Sequence, residues 1–474
     1  MDVKSGNRPA VTRRLAEWVA TLRWEDLPPA VVAHVKACLL DTLGCGLFGS
    51  SLPWGQTVIR FVRTLGRGPE ATVWGEGVRV PAANAALANG TLVHAFEMDD
   101  LHTAAVLHPG AVSVTAALAV AERQERSGGP PVDGRTLLTG LAAGYEVGAR
   151  IGLASGYPQL RRGYHPAATT GVFCAAAAAS RILRLDADAT WDALGIAGTQ
   201  AAGLMAAQYG SMVKRMHLGR SAQSGVYGVD LAVLGFRGVR EVLEAPYGGF
   251  LTTLIGDDSS LEMIVEGLGE TFALLGTGFK VYPSCGSSHT TVDALLALKA
   301  RFPDLGPDTV DSVLVHTTTS TRDHVGWPYS PDTVTTAQMN LPYTVAVLLS
   351  DGTLSVRSFS EDRLRDPAVI ALSRRVHVEV DPELDARGRD YRHAARVRIR
   401  LRDGRVLEEF RVHARGTPHN PVTLDDLARK FFDLAGSVMS SDRARRIYEQ
   451  VLEVEQLPAV SPLADLLVRE EVEP

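Results

Sequence analysis

The sequence predicts a mainly α-helical protein that also contains a smaller α+β segment. Three observations predict this class. Residues before about 270 are rich in alanine and show helical periodicity, strand-like alternation appears after about 275, and helical periodicity returns near the end. We therefore expect an all-helical body formed by residues 1–274 and 417–474, with an α+β insertion at 275–416.

The helical body begins with segments that lack the two-residue alternation of strands. They are 11–22, 29–48, 82–96, 111–125, 137–152 and 171–184. The runs AVSVTAALAV at 111–120 and AAAAAS at 175–180 have no polar face, which is typical of helices buried nearly all round at the centre of a bundle.

The insertion contains the strand-like segments 310–319 and 375–381. Segments 395–401 and 406–414 flank Asp403 and Gly404, which predicts a β-hairpin. Arginines 396, 398 and 400 lie on its polar face, and we interpret them as a solvated sheet surface and not as a ligand site. Helices are expected again at 423–434 and 441–457, packing back on the body and leaving a cleft at the join.

Composition excludes several classes of protein. The chain has 474 residues, 45% hydrophobic and 22% charged, which indicates an ordered protein with a large core. A net charge of −6 provides no basic surface for nucleic acid or anionic membranes. We find no secretory signal and no apolar run free enough of charge to span a bilayer, so the expected location is cytoplasmic.

Common cofactor motifs are also missing from the sequence. The four cysteines include no CxxC pair, which argues against a disulfide framework, a zinc site or an iron–sulfur cluster. The stretch GLGETFALLGTG at 267–278 does not follow a strand or match a dinucleotide fingerprint, and no phosphate-binding loop is present. The sequence therefore lacks the motifs that commonly mark a metal, dinucleotide or phosphate site.

The segment HAFEMDDLHTAAVLHPGA, residues 94–111, concentrates polar chemistry in apolar surroundings. Carboxylates and imidazoles clustered in this way can separate proton removal from proton delivery, because burial and mutual charge move their pKa values apart. A structural interpretation is equally open: Asp99 and Asp100 could cap the helix that follows Pro109, and His94 could be a hydrogen-bonded core residue.

Two further polar clusters lead into helices. In KRMHLGRSAQSG, Lys214, His217 and Arg220 could form a carboxylate cradle with backbone N–H groups, although surface charges would give the same pattern. In FKVYPSCGSSHTTVDA, His289 can face a cleft while a neighbouring serine, 287 or 288, caps the helix. A nucleophilic pair with Cys285 is disfavoured, because the spacing guarantees no productive geometry.

These clusters, in this order, resemble the MmgE/PrpD family, which includes 2-methylcitrate dehydratase, cis-aconitate decarboxylase and iminodisuccinate epimerase. The likeness covers nearly the whole chain and also includes RRGYHPAATTGVFCAAAAAS, GIAGTQAAGL and QMNLPYTVAVLLSDG. The resemblance implies a large all-helical domain plus a smaller α+β lid, a homodimer, an active site between the two domains and no cofactor.

The resemblance also implies roles for individual residues. The implied catalytic residues are Asp99, His108, Lys214 and His289, and the implied substrate-binding residues are Glu97, Asp100, His165, Lys280 and Tyr343. Where dehydratase and decarboxylase relatives typically have Asp and Thr, this chain has Glu97 and Leu101. The lost hydroxyl and the added methylene argue against methylcitrate and cis-aconitate as substrates.

Further residues have expected roles in the mechanism of this site. His102 and Thr103 are expected to supply the missing polar contact. In the mechanism we expect, Lys214 and Arg220 hold substrate carboxylates, His108 and Asp99 act on one proton, and His289 moves a second.

The sequence therefore favours a hydratase or dehydratase, a carbon–oxygen lyase acting on a small polycarboxylic acid. Decarboxylation or epimerisation of a similar anionic substrate is the alternative on the same scaffold. A non-catalytic protein that binds a small acid or a partner is less favoured, because the histidines and lysines are retained in all three clusters.

Overall fold

The structure, a computed structural model, describes residues 10–256 and 261–469. The first part of the chain forms helices α1 (Val11–Thr21), α2 (Pro29–Ser50), α3 (Pro53–Leu65), α4 (Ala82–Val93), α5 (Pro109–Arg126), α6 (Gly134–Arg161), α7 (Pro166–Ile182), α8 (Ala187–Gly198), α9 (Val213–Val233), α10 (Phe250–Ile255) and α11 (Leu261–Val265). All six helices predicted in this part are present, with ends that differ by up to nine residues for α6.

The later part combines helices and strands. Its helices are α12 (Gly286–Arg301), α13 (Thr319–Val325), α14 (Val334–Gln338), α15 (Leu341–Asp351), α16 (Glu361–Leu364), α17 (Pro367–Ser373), α18 (Pro382–Ala386), α19 (Leu424–Ala435), α20 (Ser441–Leu452) and α21 (Ser461–Leu466). Short 3₁₀ helices lie at Trp24–Asp26, His94–Phe96, Met205–Gln208, Ala273–Gly276, Val356–Phe359, Arg389–Tyr391 and Val454–Gln456. The mainly helical class with a smaller α+β part is confirmed.

Helix α7 lies at the centre of the helical body, where it contacts α5, α6, α8 and α9. Its alanine run is fully buried, as the sequence predicted. Helices α4 and α9 also pack closely: a Cβ placed on Gly90 would lie 2.7 Å from the Cα of Gly219. A side chain at either glycine would push these helices apart, and their ends carry the polar clusters.

One part of the body is not helical. Strands β1 (Ala71–Val73) and β2 (Val78–Val80) form an antiparallel pair between α3 and α4. The expectation of an all-helical body is therefore wrong at this hairpin. Three-residue strands are too short to give a readable alternation in sequence.

The second sheet contains β3 (Val310–Thr317), β4 (Val376–Val380), β5 (Ala395–Leu401) and β6 (Val406–Arg411) in the order β4-β3-β5-β6. Strands β3 and β4 are parallel and the other pairs are antiparallel. The predicted hairpin is present, and its arginines form exposed ion pairs with Glu408 and Asp311, which confirms the solvated face. Helix α12 packs against β5 and β6.

Helix α2 is long and apolar enough to cross a membrane by length and composition, contrary to the sequence expectation. Most of it is buried, however, because α4 and α19 pack against it. The aromatic ring of Phe431 on α19 lies against Gly44. These contacts are typical of a core helix, and α19 returns to the body as expected. The division into body and lid at 275 and 416 stays a prediction.

Helix α12 begins differently from the expectation. Its N-cap is Cys285, and no side chain accepts a hydrogen bond from the first turn. Ser287 and Ser288 lie inside the helix, so the expected serine cap is wrong. The helix starts at Gly286, at least two residues earlier than a serine cap allows, so His289 is its fourth residue.

Candidate active site

The acidic segment leaves α4 through a tight backbone turn. The α-helix ends at Val93 and narrows to a 3₁₀ turn over His94–Phe96, so the helix predicted to reach residue 96 ends earlier. Glu97 then adopts a left-handed conformation with φ of 56°. Such a conformation is unfavourable for a residue with a side chain, and here it directs a buried glutamate toward the basic residues of α9.

Three cations surround the carboxylate of Glu97. Lys214 Nζ and Arg215 Nη1 both bind Oε1, the latter at 2.5 Å, and Lys280 Nζ binds Oε2 at 2.8 Å. Burial works to raise the pKa of Glu97, but the attraction of Lys214, Lys280 and Arg215 outweighs it and holds the pKa well below its usual range. Glu97 is therefore ionised, and three cations meet one carboxylate.

A chain of hydrogen bonds continues from this cluster. Lys214 Nζ lies 3.3 Å from His94 Nε2, and His94 Nδ1 lies 2.9 Å from Asp99 Oδ2. Burial lowers the pKa of His94 to about 3, so its ring is neutral. A neutral ring between an ammonium and a carboxylate accepts at Nε2 and donates from Nδ1. The function of His94 in this arrangement is to connect Lys214 to Asp99.

His108 has one nitrogen committed to the protein. Its Nδ1 lies 2.7 Å from the carbonyl oxygen of Asp100 and 3.2 Å from Asp99 Oδ2. A carbonyl can only accept, so Nδ1 must carry a proton and donate it. Nε2 is thereby left for chemistry on a bound molecule, and His108 lies at the N-terminus of α5 on the wall of a cavity.

Asp100 serves the protein scaffold. Its carboxyl accepts hydrogen bonds from Tyr145 Oη at 2.6 Å and from the Gly110 N–H at 3.0 Å. Burial raises its pKa well above the usual range, with Asp41 adding to the effect. The expected substrate-binding role is not supported, and the structural alternative applies, because Asp100 holds the first turn of α5.

The polar residues enclose a cavity of about 70 Å³. Five of the residues implied by the resemblance line it, Glu97, His108, His165, Lys214 and Lys280, together with Thr103, which was expected to supply a polar contact. Leu101, Met205, Met339 and Val106 contribute apolar wall. A small cavity with a few converging polar groups is the usual form of a site for a small ligand.

Besides Asp99, Asp100 and His289, three more expected site residues do not line this cavity. Arg220 is exposed on α9 and donates to Gln223 Oε1, so it is the surface charge that the alternative interpretation described. Tyr343 donates to the Ser358 carbonyl in the core. His102 binds the Ala273 carbonyl through Nε2 and accepts from the Ala105 N–H at Nδ1. Both nitrogens of His102 are occupied, and the three predicted ligand roles are not supported.

His289 and Asp99 lie behind the cavity wall. His289 Nε2 donates to the Ser284 carbonyl at 3.1 Å, and burial lowers the pKa of its ring to about 3. It borders a smaller side cavity with Lys280 and is not positioned as the second proton carrier we expected. Asp99 acts through His94 and His108. Burial works to raise its pKa, but these imidazoles hold it well below the usual range.

Several residues of the cavity wall, and Arg215 behind Glu97, were not predicted. Arg215 follows Lys214 directly, and a basic pair at a helix start does not reveal that both members face inward. His324, Arg392 and His393 come from the lid-side segments, where neither spacing nor periodicity links them to the acidic cluster. Cys285 also lines the wall, and all four cysteines are free and buried.

Lys430 fixes the acidic segment from the other end of the chain. Its ammonium on α19 binds Asp41 Oδ1 at 2.6 Å, the Lys280 carbonyl at 2.9 Å and the carbonyl of Met98. Burial works to lower the pKa of Lys430, but Asp41 raises it above its usual value. Lys430 therefore stays charged and holds two active-site segments against α2.

His94, Asp99 and His108 are the described residues whose ligand atoms converge in a way that could hold a metal ion. These atoms lie within 4.8 Å of one another. The hydrogen bonds given above account for the same atoms as donors and acceptors. These hydrogen bonds form a proton-transfer network through Asp99 Oδ2, whereas Asp99 Oδ1 is buried and has no hydrogen-bond partner among the described residues.

Comparison with known proteins extends these observations. Residues 13–262 match the MmgE/PrpD N-terminal domain, and residues 282–456 match the MmgE/PrpD C-terminal domain. The chain is 32% identical to cis-aconitate decarboxylase of Aspergillus terreus, over 98% of this chain and 97% of the relative. It is 27% identical to the Homo sapiens cis-aconitate decarboxylase, covering 97% and 93% of the two chains. Identity to the mitochondrial 2-methylcitrate dehydratase of Yarrowia lipolytica is 22%, covering 89% and 84%.

Proposed function

The chain belongs to the MmgE/PrpD family, and we propose that it is a lyase that breaks a bond next to a carboxylate of a small polycarboxylic acid. The observation that carries this proposal is the charge of the cavity, where the two cations Lys214 and Lys280 face a single carboxylate, that of Glu97. His108, whose Nε2 has no partner assigned to it above, lines the same cavity. Such a site attracts an anion and offers a group that can move a proton.

Decarboxylation is the first candidate among the lyase reactions. The decarboxylases of Aspergillus terreus and Homo sapiens are similar to this chain over nearly its whole length, at 32% and 27% identity. The 2-methylcitrate dehydratases are less similar, at 22% and 24% over shorter parts of the chain. We therefore propose decarboxylation before dehydration, which the sequence favoured.

The proposed decarboxylation uses the residues of the cavity as follows. The bond between a carboxylate carbon and its neighbour breaks, carbon dioxide leaves, and the electron pair moves into the adjoining unsaturated system. Lys214 and Lys280 stabilise the negative charge that develops there. His108 Nε2, protonated before the step, gives its proton to the carbon that gains the pair, and the ring recovers a proton from solvent. In a dehydration the neutral Nε2 would instead remove a proton next to a carboxylate.

Leu101 and Glu97 distinguish this cavity from the pattern typical of the family. Leu101 lines the wall with its apolar side chain, so the position offers no hydroxyl to a substrate. The carboxylate of Glu97 is engaged by three cations and is not free to bind another group. We therefore propose a polycarboxylate whose contact at Leu101 is apolar.

Proton NMR in deuterated buffer tests the proposal with cis-aconitate, citrate, methylcitrate, malate and aspartate-type acids. Decarboxylation gives a product with one carbon-bound deuterium and releases carbon dioxide, whereas dehydration gives an alkene and releases none. Exchange without net product would indicate an epimerase. His108→Gln should reduce the rate by roughly 100- to 10,000-fold, and the exposed His377→Gln should not change it. Conversion of no acid, or full activity in His108→Gln, would contradict the proposal.

We also propose that the protein is a homodimer in the cytoplasm. Large apolar side chains are exposed on α9 and the segment after it, including Leu234 at 82%, Phe236 at 60% and Tyr247 at 91%. A surface patch of this kind suits contact with a second copy. Sedimentation velocity should report a dimer that Leu234→Asp weakens, and cell fractionation tests the location.

A further inference from the structure

Arg392 is a second cationic element of the cavity, separate from the cluster around Glu97. It lies between the 3₁₀ turn Arg389–Tyr391 and strand β5. Its side chain lines the 70 Å³ cavity and also an adjoining cavity of about 210 Å³. A charged group at the boundary between a small cavity and a larger one can bind one end of a small molecule.

The guanidinium of Arg392 has no carboxylate partner among the residues that the structure describes. It stacks over Tyr157, with its central carbon 4.6 Å from the ring centroid, and Nη1 makes one long hydrogen bond of 3.5 Å to the Thr103 carbonyl. Nε is buried and has no hydrogen-bond partner. The donors of Arg392 are therefore largely unused.

Two other buried arginines each bind a carboxylate, whereas Arg392 binds none within the described part of the chain. Arg150 binds Glu146 and four backbone carbonyls, and Arg215 binds Glu97 and Gln338. Burial lowers the pKa of Arg392 to about 10, an effect that no nearby carboxylate offsets. A buried arginine that stays charged without an anionic partner destabilises the folded protein. A ligand that brings an anion to Arg392 would remove this penalty.

The neighbours of Arg392 suit an anionic group. His324 and His393 line the same cavity, and His393 Nδ1 lies 3.1 Å from Thr321 Oγ1. Burial lowers the pKa of His324 to about 4, so the ring is neutral. Neutral imidazoles can donate a hydrogen bond to a carboxylate without adding further positive charge. An arginine fork beside them matches the planar geometry of a carboxylate.

We propose that Arg392 binds a second carboxylate of the substrate and so restricts the site to acids with at least two carboxylates. One carboxylate interacts with Lys214 and Lys280, where the chemistry occurs, and the other with the fork of Arg392. This assignment rests on the proposed function and specifies its substrate class. Arg392 is a specificity-determining residue in this assignment.

Calorimetry with tricarballylate, an unreactive tricarboxylate, tests the assignment without requiring turnover. Arg392→Gln should weaken tricarballylate binding by roughly 10- to 100-fold, the loss expected for charge-assisted hydrogen bonds, and Arg392→Lys should weaken it less. The matched control is Arg387→Gln, since Arg387 is exposed and stacks on Tyr391 in the same segment. It should bind as the unmodified protein does. Binding of butyrate, followed by NMR titration, should not change in Arg392→Gln.

Other outcomes separate the two proposals. Unchanged tricarballylate binding in Arg392→Gln, an equal loss for butyrate, or no binding of tricarballylate by the unmodified protein would overturn the assignment. A selective loss of tricarballylate binding in a protein that converts none of the acids would support the role of Arg392 and refute the lyase proposal. The Arg392→Lys variant keeps the positive charge but has a shorter side chain without the planar fork, so partial binding by it shows that the loss in Arg392→Gln reflects recognition and not a folding defect.

Discussion

Replacing Glu97 by glutamine should destabilise the protein strongly, because it removes the one carboxylate that three buried cations share. The amide presents an oxygen on one side and an NH₂ donor on the other. If the oxygen keeps Lys214 and Arg215, the donor faces Lys280, which loses its partner at 2.8 Å. Removing one member of a buried ion pair costs about 3–5 kcal/mol, a large part of a typical stability of about 5–15 kcal/mol.

The loss should depend on pH in a defined direction. Burial, which outweighs the attraction of Glu97, already lowers the pKa of Lys214. Without Glu97 that pKa falls further below its unfolded value of about 10.4, so between the two values the unfolded chain holds a proton that the folded protein lacks. Stability of the variant must then rise with pH in this window. The deficit should be smaller at pH 9 than at pH 7.

Urea unfolding followed by circular dichroism at pH 7 and pH 9 measures both effects. The matched control is Glu17→Gln, which breaks an exposed ion pair with Arg13 and should change the free energy of unfolding by less than about 0.5 kcal/mol. A deficit below about 1 kcal/mol in Glu97→Gln at pH 7, or one that grows at pH 9, would refute the electrostatic account of the site.

Three further predictions concern the ion pair of Lys430 with Asp41, the loss of stability at low pH and the effect of removing metal ions. Lys430→Met should lower the free energy of unfolding in urea by about 3–5 kcal/mol, because Asp41 loses its buried cation, whereas Arg445→Met should change it by less than about 0.5 kcal/mol. Acidification from pH 6.5 to 5 should lower the free energy of unfolding by about 3 kcal/mol through His94 and His289 together, since the unfolded chain takes protons at the ordinary histidine pKa of about 6.5 and the folded rings do so at about 3. His289→Gln should make the loss about 1.5 kcal/mol smaller than in the unmodified protein, and an equal loss in the two proteins would contradict the low pKa of His289. Dialysis against EDTA should leave activity unchanged, whereas a loss that added zinc restores would place an ion between the two histidines and the aspartate that converge.

The sequence predicted the elements with long or regular patterns. Helix α7 was recognisable from its alanine run, and the hairpin of β5 and β6 from alternation around Asp403 and Gly404. These signals are local, since they depend on the period of burial within one segment. The strands β1 and β2 carry too few residues to show a period, so they were missed.

Part of the site was also predictable, because some of its residues stand out within one local segment of the sequence. The acidic segment stood out because Glu97 and its neighbours are polar in apolar surroundings. Lys214, which lies in a second polar cluster of the sequence, lines the same cavity as Glu97. Arg215, Arg392 and Lys430 look like ordinary charged residues in sequence. Their importance comes from contacts between distant segments, which no local spacing encodes. The same limit explains why Arg220 was predicted as a ligand and Arg215 was not.

The anchoring of the site by Lys430 has a consequence for protein synthesis. The ribosome makes Glu97 and Lys214 hundreds of residues before Lys430, so the growing chain holds three buried cations and a strained turn before the residue that fixes them exists. Domains generally begin to fold from the N-terminus as they emerge. The helical body can therefore form early, while the active site closes late in translation. Nascent chains shorter than about 430 residues should be compact and inactive.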